Sequence, residues 1–216
     1  MLFDRFDRIR IVNLAHRKDR RREMLRQLAR VGLERDPKVA FYPAHSYADQ
    51  GRFNSRGAKG CFGSHMAILE EALAAGESVL ILEDDCDFGP EIGSCRIPDG
   101  CDIFYGGYQP TSKPDDPATS DIVGSHFMGF SSACLPRLLP WLRASWAGDD
   151  PAPIDGEYVR FRRAHPDIVA VFADPQVGFQ RPSRTDVGQM RAFDRIPVLR
   201  ELAGLARKFK PRRSLG

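Results

Sequence analysis

The fold this chain predicts is an α/β domain of three layers, and three observations carry the prediction. Short apolar runs alternate with amphipathic segments along most of the 216 residues. The most apolar run, Val79-Leu80-Ile81-Leu82, is continuous rather than alternating, as in a parallel-sheet strand covered on both faces. It ends in Glu83-Asp84-Asp85, which places three acids at a strand's C-terminal end, where open α/β sheets bind their ligands. Hydrophobic residues make up 42% of the chain and charged residues 28%, a balance that supports a packed core and excludes a disordered chain. The net charge of +3 is mild, and no nucleic-acid partner is expected.

Taken in order, Arg8 to Leu14 reads as the first strand. Asp19 is placed to cap a helix with Met24, Leu25, Leu28 and Val31 at helical spacing and Gly32 as its stop. The intervening Ala15-His16-Arg17-Lys18 is a cationic loop ahead of a helix N-terminus, a suitable phosphate or base site, whereas Arg20, Arg21 and Arg22 read mostly as a solvated helix face. Val39 to Tyr42 reads as a second strand. A long polar loop follows over residues 46–59, and loops of that length are more often functional than idle. Ser64 then caps a helix carrying Met66, Leu69 and Leu73 and ending at Gly76, which sets Ser64 and His65 at a glycine-flanked helix N-terminus. Free N–H groups there suit an anion, although a capping serine and a packed histidine also satisfy the pattern.

After the acids, Asp102 to Tyr105 predicts a strand, residues 110–121 a surface loop and Ile122 to Phe130 an extended segment. A helix from Ser131 or Ser132 runs through Leu142, with Pro136 tolerated in its first turn and Pro140 deep enough to kink or divide it. Ile154 opens a short helix, and Ile168 to Phe172 reads as the last strand. The domain is expected over residues 1–190. Residues 191–216 are expected to form a basic amphipathic helix, able to lie on an anionic membrane surface or to dock on the domain through its apolar stripe. Five cysteines with no zinc-type spacing, and an N-terminus without an apolar segment, lead us to expect reduced thiols in a cytoplasmic protein, peripheral at most to the inner membrane face. No run is apolar and long enough to span a bilayer.

Three adjacent carboxylates repel one another and are at ease beside a hard divalent cation, though a strand running into a solvated acidic loop has the same sequence. In order, the segments resemble glycosyltransferase family 25, which includes bacterial lipooligosaccharide galactosyltransferases. The likeness rests on Ile11-Val12-Asn13-Leu14 with the following arginines, on Gly60-Cys61-Phe62-Gly63-Ser64-His65 and on Leu80-Ile81-Leu82-Glu83-Asp84-Asp85. Gly129-Phe130-Ser131, Ala152-Pro153-Ile154-Asp155 and two short segments over 175–187 add weaker matches.

That resemblance implies a GT-A-like nucleotide-binding fold, an α/β/α domain with a mixed, mainly parallel sheet. It further implies inverting transfer of a hexose, often galactose, from a UDP-sugar donor to a glycan or lipid-linked glycan acceptor in lipopolysaccharide or other cell-surface glycan synthesis. Mn²⁺ or Mg²⁺ would sit on Asp85, with Glu83 or Asp84 in support, and stabilise the leaving diphosphate. Asp155, or else Glu157, would be the base, the alternative for Asp155 being an ordinary helix cap. Asn13 and Arg17 would touch uracil or ribose, and Ser64, His65 and Asp84 would serve donor binding. His126 or His165 would complete the metal shell. A non-catalytic nucleotide-sugar-binding protein and a Mg²⁺-dependent phosphoryl-handling domain are the competing expectations.

Overall fold

A computed structural model describes residues 2–111 and 116–181. The basic tail over 191–216, the boundary at 190 and the 183–187 motif lie outside the described residues.

One six-stranded sheet organises the domain. It contains β1 (Arg8–Asn13), β2 (Val39–Pro43), β3 (Val79–Glu83), β5 (Ile103–Pro110), β6 (Ile122–Phe130) and β7 (Ala170–Phe172). Their order across the sheet is β2-β1-β3-β6-β5-β7. Strand β1 pairs parallel with both β2 and β3, and β5 pairs parallel with β7. Only β6 runs against the others, antiparallel to β3 on one side and β5 on the other. The sheet is therefore mixed and mainly parallel, as the sequence predicts.

Helices α1 (Lys18–Arg30), α2 (Arg56–Ala75), α3 (Leu135–Ala147) and α4 (Ile154–Ala164) cover its two faces. The alternation of side chains along β3 divides the core. Val79 and Ile81 pack with Phe62, Leu69, Leu138 and Phe161 of α2, α3 and α4. Leu80 and Leu82 pack on the opposite face with Met24 and Leu28 of α1 and with the N-terminal Leu2, Phe3 and Phe6. All four β3 side chains are fully buried, which explains a continuous apolar run in place of an alternating one. Among the described residues no helix is long and apolar enough to cross a membrane.

The structure corrects three expectations. Helix α2 begins at Ser55, whose side chain accepts from the Ala58 N–H (3.0 Å), so Ser64 and His65 lie in mid-helix and the preceding loop is shorter. Glycines at 57, 60 and 63 disguised this start, since glycine normally costs a helix interior stability. Two of them serve close packing instead: a Cβ at Gly60 would stand 2.5 Å from the His45 carbonyl oxygen, and one at Gly63 2.8 Å from the Tyr47 hydroxyl. Next, a second sheet goes beyond the predicted elements: β4 (Cys86–Phe88) pairs antiparallel with β8 (Gly178–Gln180). It follows the acids directly, and its three β4 residues are buried, so the chain after Asp85 does not run into solvent. Finally, α3 continues unbroken past Pro140.

Candidate active site

The acids of β3 open into a cavity of about 310 Å³ at the C-terminal ends of β1 and β3. Its walls include His16 and Arg20 from the start of α1, residues 44–47 after β2, Arg56, Gly57, Gly60, Cys61 and Ser64 of α2, the three acids, and Gln180 of β8. The true N-terminus of α2 thus faces the same space to which the sequence assigned one. Arg56 is its first helical residue.

Glu83 ends β3 on one side of the sheet, whereas Asp84 and Asp85 follow it in a turn and share Arg20. Asp84 faces α1. Its Oδ2 accepts from Asn13 Nδ2 at 2.6 Å and its Oδ1 from Arg20 Nη1 at 2.9 Å. Burial raises the Asp84 pKa, and Arg20 and Asn13 oppose the rise. Glu83 faces α2. Its Oε1 accepts from Ser125 Oγ at 2.6 Å and lies 3.9 Å from both Cys61 Sγ and His65 Nε2. Burial, and then the charge of Asp85, push the Glu83 pKa up to about 8. Asp85 is 3% exposed; its Oδ2 lies 3.2 Å from Arg20 Nη1, while its Oδ1 is buried with no hydrogen-bond partner.

Arg20 is the residue the sequence reading misplaced. It was assigned to a solvated face, yet it is 7% exposed and bridges two acids. The signal was present: Arg20, Met24 and Leu28 follow one another at four-residue steps, so Arg20 shares the buried stripe. Its neighbour Arg21 lies over the Phe41 ring at 3.8 Å but is exposed, so Arg21 and Arg22 both fit the solvated description. His45 and Tyr47, ring centroids 6.2 Å apart, are further wall residues the sequence did not single out.

The other expected residues divide. Ser64 lines the cavity, but its hydroxyl is engaged: it donates to Gly60 O (2.7 Å) and accepts from His45 N–H (2.8 Å). Asn13 is buried behind Asp84, and Arg17 pairs with Asp19 at 2.9 Å; neither belongs to the cavity wall. His65 is fully buried, so donor contact does not fit it. Its Nδ1 bonds the Tyr158 hydroxyl at 3.0 Å, and burial lowers its pKa to about 3. Asp155, in the first turn of α4, accepts from Gly124 N–H and Gly156 N–H at 2.8 and 2.9 Å, and its charge acts on Glu83 and Cys61. Glu157 is 1% exposed and committed to Ala152 N–H, Trp141 Nε1 and Arg160, a structural placement that does not suit a base. His165 packs against Trp141 and Phe161 away from the acids. His126 stands near Asp85, whose charge partly offsets the lowering of its pKa by burial, and its Nδ1 is buried without a partner.

Comparison with known proteins agrees with the motif reading. The model of glycosyltransferase family 25 (LPS biosynthesis protein) matches residues 6–96. The human protein named inactive glycosyltransferase 25 family member 3 is 33% identical over 101 residues, covering 38% of this chain. The match spans only 17% of that relative's length. Among solved structures, a glycosyltransferase involved in glycosylation of the major capsid of PBCV-1 superposes with a TM-score of 0.47 at 13% identity, covering 78% of this chain and 82% of the other. The CTP:phosphocholine cytidylyltransferase LicC of Streptococcus pneumoniae gives 0.40 at 10% identity, covering 81% and 72%. The matched span, residues 6–96, runs from the N-terminal segment before β1 past the acids of β3, and over that span the chain is similar to glycosyltransferase family 25.

Proposed function

We propose that the chain transfers a hexose, with galactose the first candidate, from a UDP-sugar to a glycan or lipid-linked glycan acceptor, with inversion and with a divalent ion. The observation that carries this reading is the buried, unpartnered Asp85 Oδ1 at the floor of the cavity. A buried carboxylate oxygen without a partner is costly unless something else binds it. An oxygen donor of this kind fits Mn²⁺ or Mg²⁺. Asp85 would hold the ion, with the orphaned His126 Nδ1 as a second donor and Glu83 in support. When bound, such an ion supplies Lewis-acid stabilisation to the departing diphosphate.

The chain's own groups complete the arrangement. The N-terminus of α2 with Arg56 presents positive potential to phosphate. The rings of His45 and Tyr47 offer stacking surface to the base. Asn13 and Arg20 fix Asp84, and through it the strand end on which Asp85 is mounted. Asp155 is our choice for the base that takes the proton of the acceptor hydroxyl. Its two backbone donors fix its orientation. The lipopolysaccharide setting rests on the family's description. Contact with an anionic membrane rests on the basic composition of residues 191–216. Deletion of that tail is expected to weaken binding to anionic vesicles and leave donor binding intact; a tail whose loss changes donor binding but not vesicle binding contradicts it.

A second reading, a non-catalytic nucleotide-sugar binder, draws on the word inactive in the human relative's name. The two readings separate in an assay of UDP release from a panel of UDP-sugars. The transferase reading expects metal-dependent release that Asp85→Asn and Asp155→Asn each abolish, with donor binding kept in Asp155→Asn. Binding without release from any donor favours the second.

A further inference from the structure

The chemistry proposed so far leaves Cys61 and His65 without a task. They stand one helical turn apart on α2, so both face the end of β3. Cys61 Sγ, His65 Nε2 and a Glu83 carboxylate oxygen all lie within 4.8 Å of one another, the one such group among the described residues. His65 is fully buried, and its Nε2 has no hydrogen-bond partner although it is aimed at Glu83. Its other nitrogen is held by the Tyr158 hydroxyl at 3.0 Å. A hydroxyl serves as donor or acceptor, so it supports the tautomer that leaves the Nε2 lone pair free. A second-sphere bond of this type orients histidine ligands in metal sites.

We propose that Cys61, His65 and Glu83 form a binding site for a borderline-soft divalent ion of the Zn²⁺ class, separate from the hard-ion position at Asp85. The mixed sulfur, nitrogen and oxygen donor set selects this class over Mg²⁺ or Ca²⁺. Zinc bonds of about 2.0 to 2.3 Å place tetrahedral ligands roughly 3.5 Å apart, so closure needs side-chain movements on the order of 1 Å. Binding exchanges the Cys61 S–H bond for a sulfur–metal bond and the proton on Glu83 for an oxygen–metal bond, and releases both protons to solvent. Cys61 and Glu83 both line the cavity, so the fourth coordination position opens towards it, as in sites that keep one ligand exchangeable. An ion there would occupy the α2 wall of the donor pocket. The inference does not require that the chain transfer sugar.

Titration of the full chain with Co²⁺, a spectroscopic substitute for Zn²⁺, tests it. The expected result is a thiolate-to-cobalt charge-transfer band with strong four-coordinate ligand-field absorption. Both should vanish in Cys61→Ser and His65→Ala and persist in Cys95→Ser and Asp85→Asn. A wild-type protein without the band, or a band that survives Cys61→Ser, overturns the proposal. A readout that needs no variant is alkylation of the native chain with peptide mapping: Zn²⁺ should slow modification of Cys61, and an unchanged rate overturns the site. Because Asp85→Asn is expected to keep the band, failure here is distinguishable from failure of the transferase reading.

Discussion

Glu83 is the residue at which chemistry and stability pull hardest against each other. Its pKa rises from 4.5 to about 8 on folding, chiefly through burial and secondarily through Asp85. Between those values the folded state holds a proton that the unfolded state has lost, so this residue makes stability fall as pH rises through the window. Glu83→Gln removes the titration. The variant's melting temperature relative to wild type is expected to climb from about pH 4.5 to about pH 8, and a pH-independent difference would refute the buried-acid account. His65 acts with the opposite sign. Its pKa falls to about 3, so the unfolded state binds the extra proton between that value and 6.5, and stability is lost as pH drops through this range. The acids themselves were legible, because three carboxylates after four aliphatics is an uncommon string. Their partners were not: Arg20 and Asn13 reach Asp84 across 64 and 71 residues, a pairing that no local pattern encodes. Glu83 lies on the α2 side and Asp84 on the α1 side, and Asp85 shares Arg20 with Asp84.

At the scale of elements, β1, α1, β3, α3 and α4 followed from periodicity, whereas α2 and the β4/β8 pair did not. The expected caps were displaced: Asp19 lies inside α1, whose N-cap is Arg17, and α3 is preceded by Cys134. Three-residue strands are too short to show a period. In α2 the glycines that look like a loop are contact points against residues 45–47. This gives a prediction with an unusual sign. Glycine to alanine inside a helix ordinarily gains about 1 kcal/mol. At Gly60 the added methyl meets a backbone oxygen that cannot rotate away, and overpacking costs of about 1–3 kcal/mol outweigh the gain. Gly60→Ala is therefore expected to melt a few degrees below wild type, while Gly93→Ala, with open space around it, stays close to wild type. A stabilised Gly60→Ala would show that the 45–47 segment is not packed on α2, and with it one wall of the cavity would be lost.

Across the whole molecule, the sheet order explains why one end of the domain carries the candidate chemistry. Strands β1 and β3 are adjacent and parallel, so their C-terminal ends deliver Asn13 and the three acids to a single edge. The antiparallel β6 enters beside β3 and brings Ser125 and His126 to that edge from the opposite direction. The β4/β8 pair returns Gln180 to it, and Arg181 N–H donates to the Asp85 carbonyl at 2.7 Å. The alternation of elements was visible in the sequence. The reversal of β6 was not, since an extended segment carries no record of its direction. We propose that this edge uses an ion on Asp85 to expel a nucleoside diphosphate from a sugar. The most direct measurement is UDP release from a panel of UDP-sugars, with and without Mn²⁺, for wild type and Asp85→Asn. The expected result is release from at least one donor, dependent on Mn²⁺ and lost in a folded Asp85→Asn protein. Release that is unchanged without the ion or in the variant would contradict it.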